Sequence, residues 1–573
     1  MLFTIDKNKS LALLQAVMAF FPVLAPSVLE LFPVHSGVYA LFIVFTLIFT
    51  VRIKKTQRVY FSPVHLVLLP FLGYVIISSL WAKNNEGHLL YTFIIMTVIV
   101  FLSTAIDYFK ESSSDNINRR MMYLLLSSGT LCAVINIAYW FLYILPVGGK
   151  NTFSFGMGTN DFLAVFMLFC MMCALALIKS NSQKRRRFII LGFIIMLFVF
   201  VMSKSLIGFI AAILICVITI SSKQSEKMFL PVSLISVAVL AGISIAVSTV
   251  MPWGEFTGDL FDLFLSRPMG SGGGVVGAQT LYASKAYGKD ISAPISALII
   301  AQSGILGAVC TVAIYLRTLI HFLKLRNESS LISLLVLTLM MILPFGNSYA
   351  VLFLWLGLFA CNEQSLSMCM VRNFKSSSLE KTVYTLAVVT TVCALLFMQC
   401  FMRVCADKKF NNEDYMSAYS IYRAAAAINI SDSESCRMAA KSLRKGAEIK
   451  AMRDEAVALI DKAIKRDETN LENIVEKARI YSACEEYDLC AQQYRIASRS
   501  AKVNEKYNLA LSKTLYKIVQ KNPKGSSETK RAYEEILTIA QETQNLDYRK
   551  EINDIADKAL VFTKGELTDE ENN

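Results

Sequence analysis

The sequence predicts an all-α protein in two parts: a polytopic membrane helix bundle of about thirteen spans, then a water-soluble domain of amphipathic helices. Three observations predict it. Of the 573 residues, 55% are apolar and the mean hydropathy is +0.49. That is more apolar surface than a soluble core hides, so the excess must face lipid. Apolar runs of spanning length recur as far as residue 403, and every second connection between them is basic. Beyond residue 411 the pattern changes to charged helices with one apolar face.

The runs fall near 10–33, 35–53, 60–82, 88–109, 121–146, 162–179, 188–203, 205–221, 228–251, 291–321, 330–345, 348–367 and 382–403. Most are close to the roughly twenty residues that a hydrocarbon core of ~30 Å requires. The basic connections are Arg52 to Arg58, Arg119-Arg120, Lys184 to Arg187, Lys223 with Lys227, Lys324 with Arg326, and Arg372 with Lys375. The positive-inside rule makes all of them cytoplasmic. The N-terminus is then cytoplasmic, and thirteen crossings put the C-terminal part outside. No cleavable signal peptide is expected, because the first apolar stretch is long and more spans follow it. Residues 404–573 hold 28 Lys+Arg against 29 Asp+Glu, which leaves 29 basic and 15 acidic residues in 1–403. A basic excess confined to membrane-flanking loops signals topology, not nucleic-acid binding.

Most of the thirteen cysteines lie in apolar runs, as Cys170, Cys173, Cys216 and Cys310 do, where a thiol packs as a small hydrophobe. Cys484 and Cys490 fall on one helical hairpin of the soluble part, with no zinc spacing and no disulfide framework. In that part Ala456 and Cys490 are 34 residues apart, and so are Ala463 and Ala497. Small residues at that period, with Ala478, Tyr481 and Tyr487 between, fit the tetratricopeptide helix–turn–helix unit. Residues 418–429 and 507–520 read as degenerate copies, and 521–529 as a linker before a last helix. The domains are therefore expected at 1–403, 404–563 and an acidic, disordered tail at 564–573.

Soluble-enzyme signatures are missing: there is no P-loop, no GxGxxG after a strand, no GxSxG and no HExxH. His35, His65, His88 and His321 are scattered, so packed or interfacial histidines are expected and no metal site. Interest falls on cations of the outward connections. Lys204 sits in Ser203-Lys204-Ser205, a minimal turn between two apolar runs, where a recessed lysine would grip an anionic headgroup. The alternative is a lysine snorkelling at an ordinary turn. The long outward segment 252–290 contains Glu255, Asp259, Asp262, Arg267, Lys285, Lys289 and Asp290, with an apolar piece, Leu260–Leu265, suited to a short helix against the membrane. Arg267 precedes Pro268-Met269-Gly270-Ser271-Gly272, where a guanidinium fork and free backbone N–H groups could both meet phosphate oxygens. The alternative is a solvated arginine on a flexible loop.

Several local patterns resemble one family. They are Ser79-Leu80-Trp81-Ala82 before polar 83–86, Gly156-Met157-Gly158-Thr159-Asn160-Asp161 at the start of a span, and Ser203-Lys204-Ser205 at the outer end of a hairpin. The loop closing with Pro268-Met269-Gly270-Ser271-Gly272, then Gln302-Ser303-Gly304-Ile305-Leu306-Gly307, completes them. Over residues 70–403 this layout resembles the O-antigen ligase/polymerase superfamily of bacterial glycan-assembly membrane proteins, some of which carry an external tetratricopeptide domain. The resemblance implies a GT-C-like, metal-independent and cofactor-free glycosyltransferase of the cytoplasmic membrane. Such proteins transfer a glycan from polyprenyl diphosphate to a hydroxyl of lipid A core, of another carrier-linked glycan or of a protein. In the family arginines hold the diphosphate, which points to Lys204 and Arg267 here, with Lys285 and Lys289 as further candidates; the alternative for Lys285, Lys289 and Asp290 is a set of plain interface residues, and Asn160, Asp161 and Gly272 are candidates to line the substrate. The family arginine at the hairpin is Lys204 here, which keeps the charge and loses the fork. The family's histidine base would fall near Ser292-Ala293-Pro294, where none stands, leaving Asp290 or Glu255 as candidate bases.

Expected partners are the lipid-linked glycan, membrane lipids and a protein at the repeat domain, with no nucleic acid. A second reading is a non-catalytic membrane scaffold that recruits proteins through its repeats. A transporter ranks last, since few charges fall mid-span and no inverted repeat is visible.

Overall fold

The computed structural model describes residues 15–17, 34–82, 84–109, 114–144, 160–179, 182–213, 215, 260–273, 294–343, 348–365, 370–373, 376–446, 448–468, 470–500 and 505–563. These residues are almost entirely helical. The helices are α1 Val34–Thr56, α2 Pro63–Ser78, α3 Asn85–Phe109, α4 Ser114–Tyr139, α5 Asn160–Lys179, α6 Gln183–Met202, α7 Ile295–Leu325, α8 Glu328–Ile342, α9 Ser348–Ser365 and α10 Ser376–Asn411. They continue with α11 Tyr415–Ile428, α12 Ser433–Gly446, α13 Arg453–Arg466, α14 Leu471–Ala483, α15 Tyr487–Ser500, α16 Lys506–Lys521, α17 Ser527–Glu542 and α18 Leu546–Thr563. Two strands, β1 Arg58–Phe61 and β2 Met370–Asn373, pair antiparallel. The chain divides into two compact units, 1–82 with 87–280 and 290–397, and 83–86 with 281–289 and 398–573.

Among the described residues six helical stretches are long and apolar enough to cross a membrane: Gly37–Thr56, Asn85–Phe109, Ile117–Leu142, Asn160–Ile178, Ile295–Leu325 and Ser377–Asn411. Two shorter apolar helices, α2 and α8, accompany them. This is consistent with a multi-pass membrane protein. The expected runs at 10–33 and 228–251, and most of 205–221, lie outside the described residues. The helices extend past the apolar runs because interfacial charge does not interrupt the backbone ladder. Thus α6 begins at Gln183 and includes Lys184 to Arg187, and α10 ends with Lys408 and Lys409 in its last turn. For the same reason the boundary expected at 403/404 falls inside α10, a continuous helix with no capping or breaking residue there.

Polar contacts in the first unit sort into two ends of the bundle. Arg52 near the end of α1 pairs with Asp107 near the end of α3. Ser329 at the start of α8 donates to Asn118 of α4 at 3.4 Å and to Asn362 of α9 at 3.2 Å. The β ribbon sets Arg58 opposite Asn373 and Val59 opposite Arg372, joining two connections that the charge rule places on one side. At the other end Ser296 of α7 donates to the Met341 carbonyl of α8 at 2.5 Å, and the loop contacts described below gather there.

In the second unit α11 packs on α12, α12 on α13, α14 on α15, α15 on α16, and α16 on α17 and α18. Ala456, Ala463, Cys490 and Ala497, the residues of the 34-residue period, are all fully buried between these helices. Small side chains at those positions let neighbouring helices approach closely, and the period is visible for that reason. The segment after α16 leads into two helices, α17 and α18, where a single last helix was expected. Gly525 donates to the Phe562 carbonyl at 3.0 Å, so this connection is packed on α18. The tail 564–573 lies outside the described residues.

Candidate functional site

The turn 203–205 is built by the ends of two helical segments. Ser203 caps α6, its hydroxyl donating to the Phe200 carbonyl at 2.6 Å. Lys204 follows with φ of 51°, a left-handed conformation that a lysine seldom adopts, and its side chain is exposed. Ser205 then starts the next segment: its hydroxyl accepts from Gly208 N at 2.9 Å and donates to Asp161 at 2.5 Å. Asp161 lies in the first turn of α5, where a carboxylate is favoured by the helix dipole. Beside it the Asn160 side-chain oxygen is buried and has no hydrogen-bond partner among the described residues. The structure thus joins Ser203-Lys204-Ser205 to Asn160-Asp161 through a bonded pair 44 residues apart in the chain.

The second group forms around a break in α7. Gly304 has φ of 61° and ψ of −145°, so the helix stops and restarts there. A side chain would be strained at that backbone conformation and would collide with the Pro268 carbonyl and Gly270 N. Breaking a helix frees its main-chain groups, which apolar surroundings cannot satisfy. The loop after the short helix at 260–266 satisfies them. Ser271 N donates to Ala301 O and Gly272 N to Gln302 O, both at 3.1 Å, and Ile305 N donates to Pro268 O at 2.9 Å. The Ser271 hydroxyl adds a second bond to Ala301 O at 3.0 Å. Gly272, with φ of 83°, lies so close to α2's end that a Cβ would sit 2.8 Å from the Ala82 Cα. Side chains of α2 and α3 complete the seat. Tyr74 donates to the Met269 carbonyl. His88 Nδ1 accepts from Gly273 N at 3.0 Å. Tyr91 and Ser303 share a hydrogen bond of 3.0 Å.

This arrangement leaves Arg267 exposed at the start of the seated loop. Among the described residues neither Arg267 nor Lys204 takes part in an ion pair, and no hydrogen bond joins the 203–205 group to the 267–273 group. Glu255, Lys285, Lys289 and Asp290 lie outside the described residues. The structure therefore assembles two of the expected elements locally. It does not bring Lys204 and Arg267 into direct contact.

The sequence reading missed Tyr74, His88, Tyr91 and Ser303 as parts of one seat. Gly304, a helix breaker inside an apolar run, was the available signal. It also missed the buried charges at the opposite end. Arg317 grips Glu363 with two bonds of 2.9 Å, and His321 Nε2 lies 2.6 Å from the same carboxylate. His65 behaves as a packed histidine, accepting from Ser62 N at 3.0 Å and bonded to Ser103 at 2.9 Å. Among the described residues no group of three or more His, Cys, Asp or Glu is arranged to hold a metal ion. No protein-family model and no curated protein matches this chain.

Proposed function

We propose that this chain is a membrane glycosyltransferase of the O-antigen ligase/polymerase kind, acting at the outer face of a bacterial cytoplasmic membrane. The acceptor hydroxyl oxygen bonds to the sugar C1, the bond from C1 to the diphosphate breaks, polyprenyl diphosphate leaves, and the hydroxyl proton passes to a base. Lys204 and Arg267, with Lys285 and Lys289, neutralise the departing diphosphate, which is where negative charge grows in the transition state. Asp290 or Glu255 takes the proton, and Asn160, Asp161 and Gly272 line the substrate. The second unit is a tetratricopeptide-like domain on the same outer side, offering a surface to a protein partner.

One observation carries this reading. An exposed arginine stands on a loop that main-chain hydrogen bonds fix into a gap in a spanning helix, and a cation carried on a fixed backbone suits an anionic leaving group. The test is to replace Arg267 or Lys204 by Ala and follow polymer length on gels. At least about a tenfold fall in long polymer is expected, the effect of losing one strong electrostatic contact in a transition state. Unchanged polymer from two stably inserted variants removes the transferase reading. What would remain is a membrane scaffold, which the absence of a histidine at 292–294 favours.

A further inference from the structure

We propose that Tyr74, His88 and Tyr91 form a three-point clamp, holding the 267–273 loop in the α7 break and thereby positioning Arg267. The clamp itself stands on the geometry. Its consequence for Arg267 rests on the transferase reading.

Each member reaches a different part of the joint. Tyr74, in the last third of α2, holds the carbonyl of Met269, two residues from Arg267. Tyr91 holds Ser303, the residue before the broken position, from the helix side. His88 holds the far end of the loop at Gly273 N. A backbone N–H only donates, so His88 Nδ1 accepts, and the neutral ring carries its proton on Nε2. All three side chains come from α2 and α3, which are separated from the loop by about two hundred residues. Bonds spanning that separation are absent while the segment is loose, and they act together once it is seated. Gly272 and Gly273 fit between these helices only because they lack side chains: a Cβ on Gly273 would sit 2.9 Å from the His88 Cα and the Tyr91 Cβ.

The chemistry of His88 makes the idea separable from mere packing. Asparagine places its side-chain oxygen where Nδ1 stands and keeps the acceptor, whereas leucine keeps bulk and loses it. Amide hydrogen exchange on the full-length protein in lipid nanodiscs reads the seat directly, through peptides covering 267–273 and 301–306. In His88→Leu these should exchange at least about tenfold faster than in the parent, with α4 and α5 unchanged. His88→Asn should restore the parent's rate within about twofold. If His88→Leu does not insert, the Tyr74→Phe/Tyr91→Phe double variant carries the same expectation. Parental exchange in the variant tested, or His88→Asn behaving like His88→Leu, overturns the clamp. Transfer assays on these variants should show a lowered kcat with the lipid-linked donor, again rescued by Asn. A parent with no transfer activity sinks the proposed function, while the exchange result still decides the clamp.

Discussion

Glu363 has a fully buried side chain and accepts both arms of Arg317 and the Nε2 of His321. Three ionisable groups in such a place cost desolvation that only good geometry offsets. The two parallel bonds from Arg317 supply it, because a guanidinium fork matches a carboxylate edge. Removing one partner is worse than never having built the pair, since the other charge stays buried without compensation. Glu363→Ala should therefore destabilise the bundle by about 3–5 kcal/mol. Glu363→Gln keeps one acceptor oxygen and should lose less. Thermal unfolding of the purified protein in detergent orders the two variants, and equal midpoints would show that the ion pairs add nothing. None of this was visible in the sequence. Glu363 stands 46 residues from Arg317 and 42 from His321, across the α7 to α9 connection, and nothing in the local patterns marks it as their partner. Helix faces bring them together.

At the scale of elements, local signals performed unevenly for a physical reason. The 203–205 turn could be read because two apolar runs with three polar residues between them leave the chain little choice. The seat for 267–273 could only be half read. Arg267 and its glycines were conspicuous, but the complementary gap arises from one residue, Gly304, in the middle of an apolar helix. A contrast between two glycines tests that account. Gly304→Ala should abolish seating of the loop, since it adds about 1–3 kcal/mol of backbone strain to a collision with the Pro268 carbonyl. Gly73→Ala, in α2, meets nothing within 4 Å. It should be neutral or stabilising by about 0.5–1 kcal/mol, as a helix interior favours Ala. Comparable loss in both variants, measured as protease resistance of the loop, would mean the break is incidental. In the second unit, burial works to raise the Glu434 carboxyl, but the charge and hydrogen bonds of Arg437 prevail and hold it below the usual range. A carboxyl depressed on folding contributes stability above its unfolded value near 4.3, and that contribution disappears as pH falls through the lower folded value. Protection of the α12 amides, taken as exchange relative to the intrinsic rate at each pH, should thus be steady from pH 7 to 5 and fall in stronger acid. In Glu434→Gln the acid sensitivity should be smaller.

For the whole molecule, composition and charge alternation decided the class, because lipid imposes a single rule on every spanning segment. They could not fix the number of crossings, since short apolar helices such as α2 and α8 satisfy length rules only loosely. The division between units was equally hidden, because α10 runs unbroken through 397/398. What the alternation does assert is a two-sided sorting, and the observed contacts agree with its grouping. Arg58 and Arg372 meet in one ribbon, while Asp161, Ser205, Gly273 and His88 take part in contacts at the other end. Which end faces the cytoplasm follows from charge alone and can be measured. Single cysteines at exposed Arg58 and exposed Arg267, treated with a membrane-impermeant maleimide on intact cells, should label only at 267. After the membrane is permeabilised, both should label. The ordinary reagent concentration suffices because neither position is buried. Labelling at 58 and protection at 267 would invert the bundle, put Lys204 and Arg267 on the cytoplasmic side, and leave the outward transferase reading without a site.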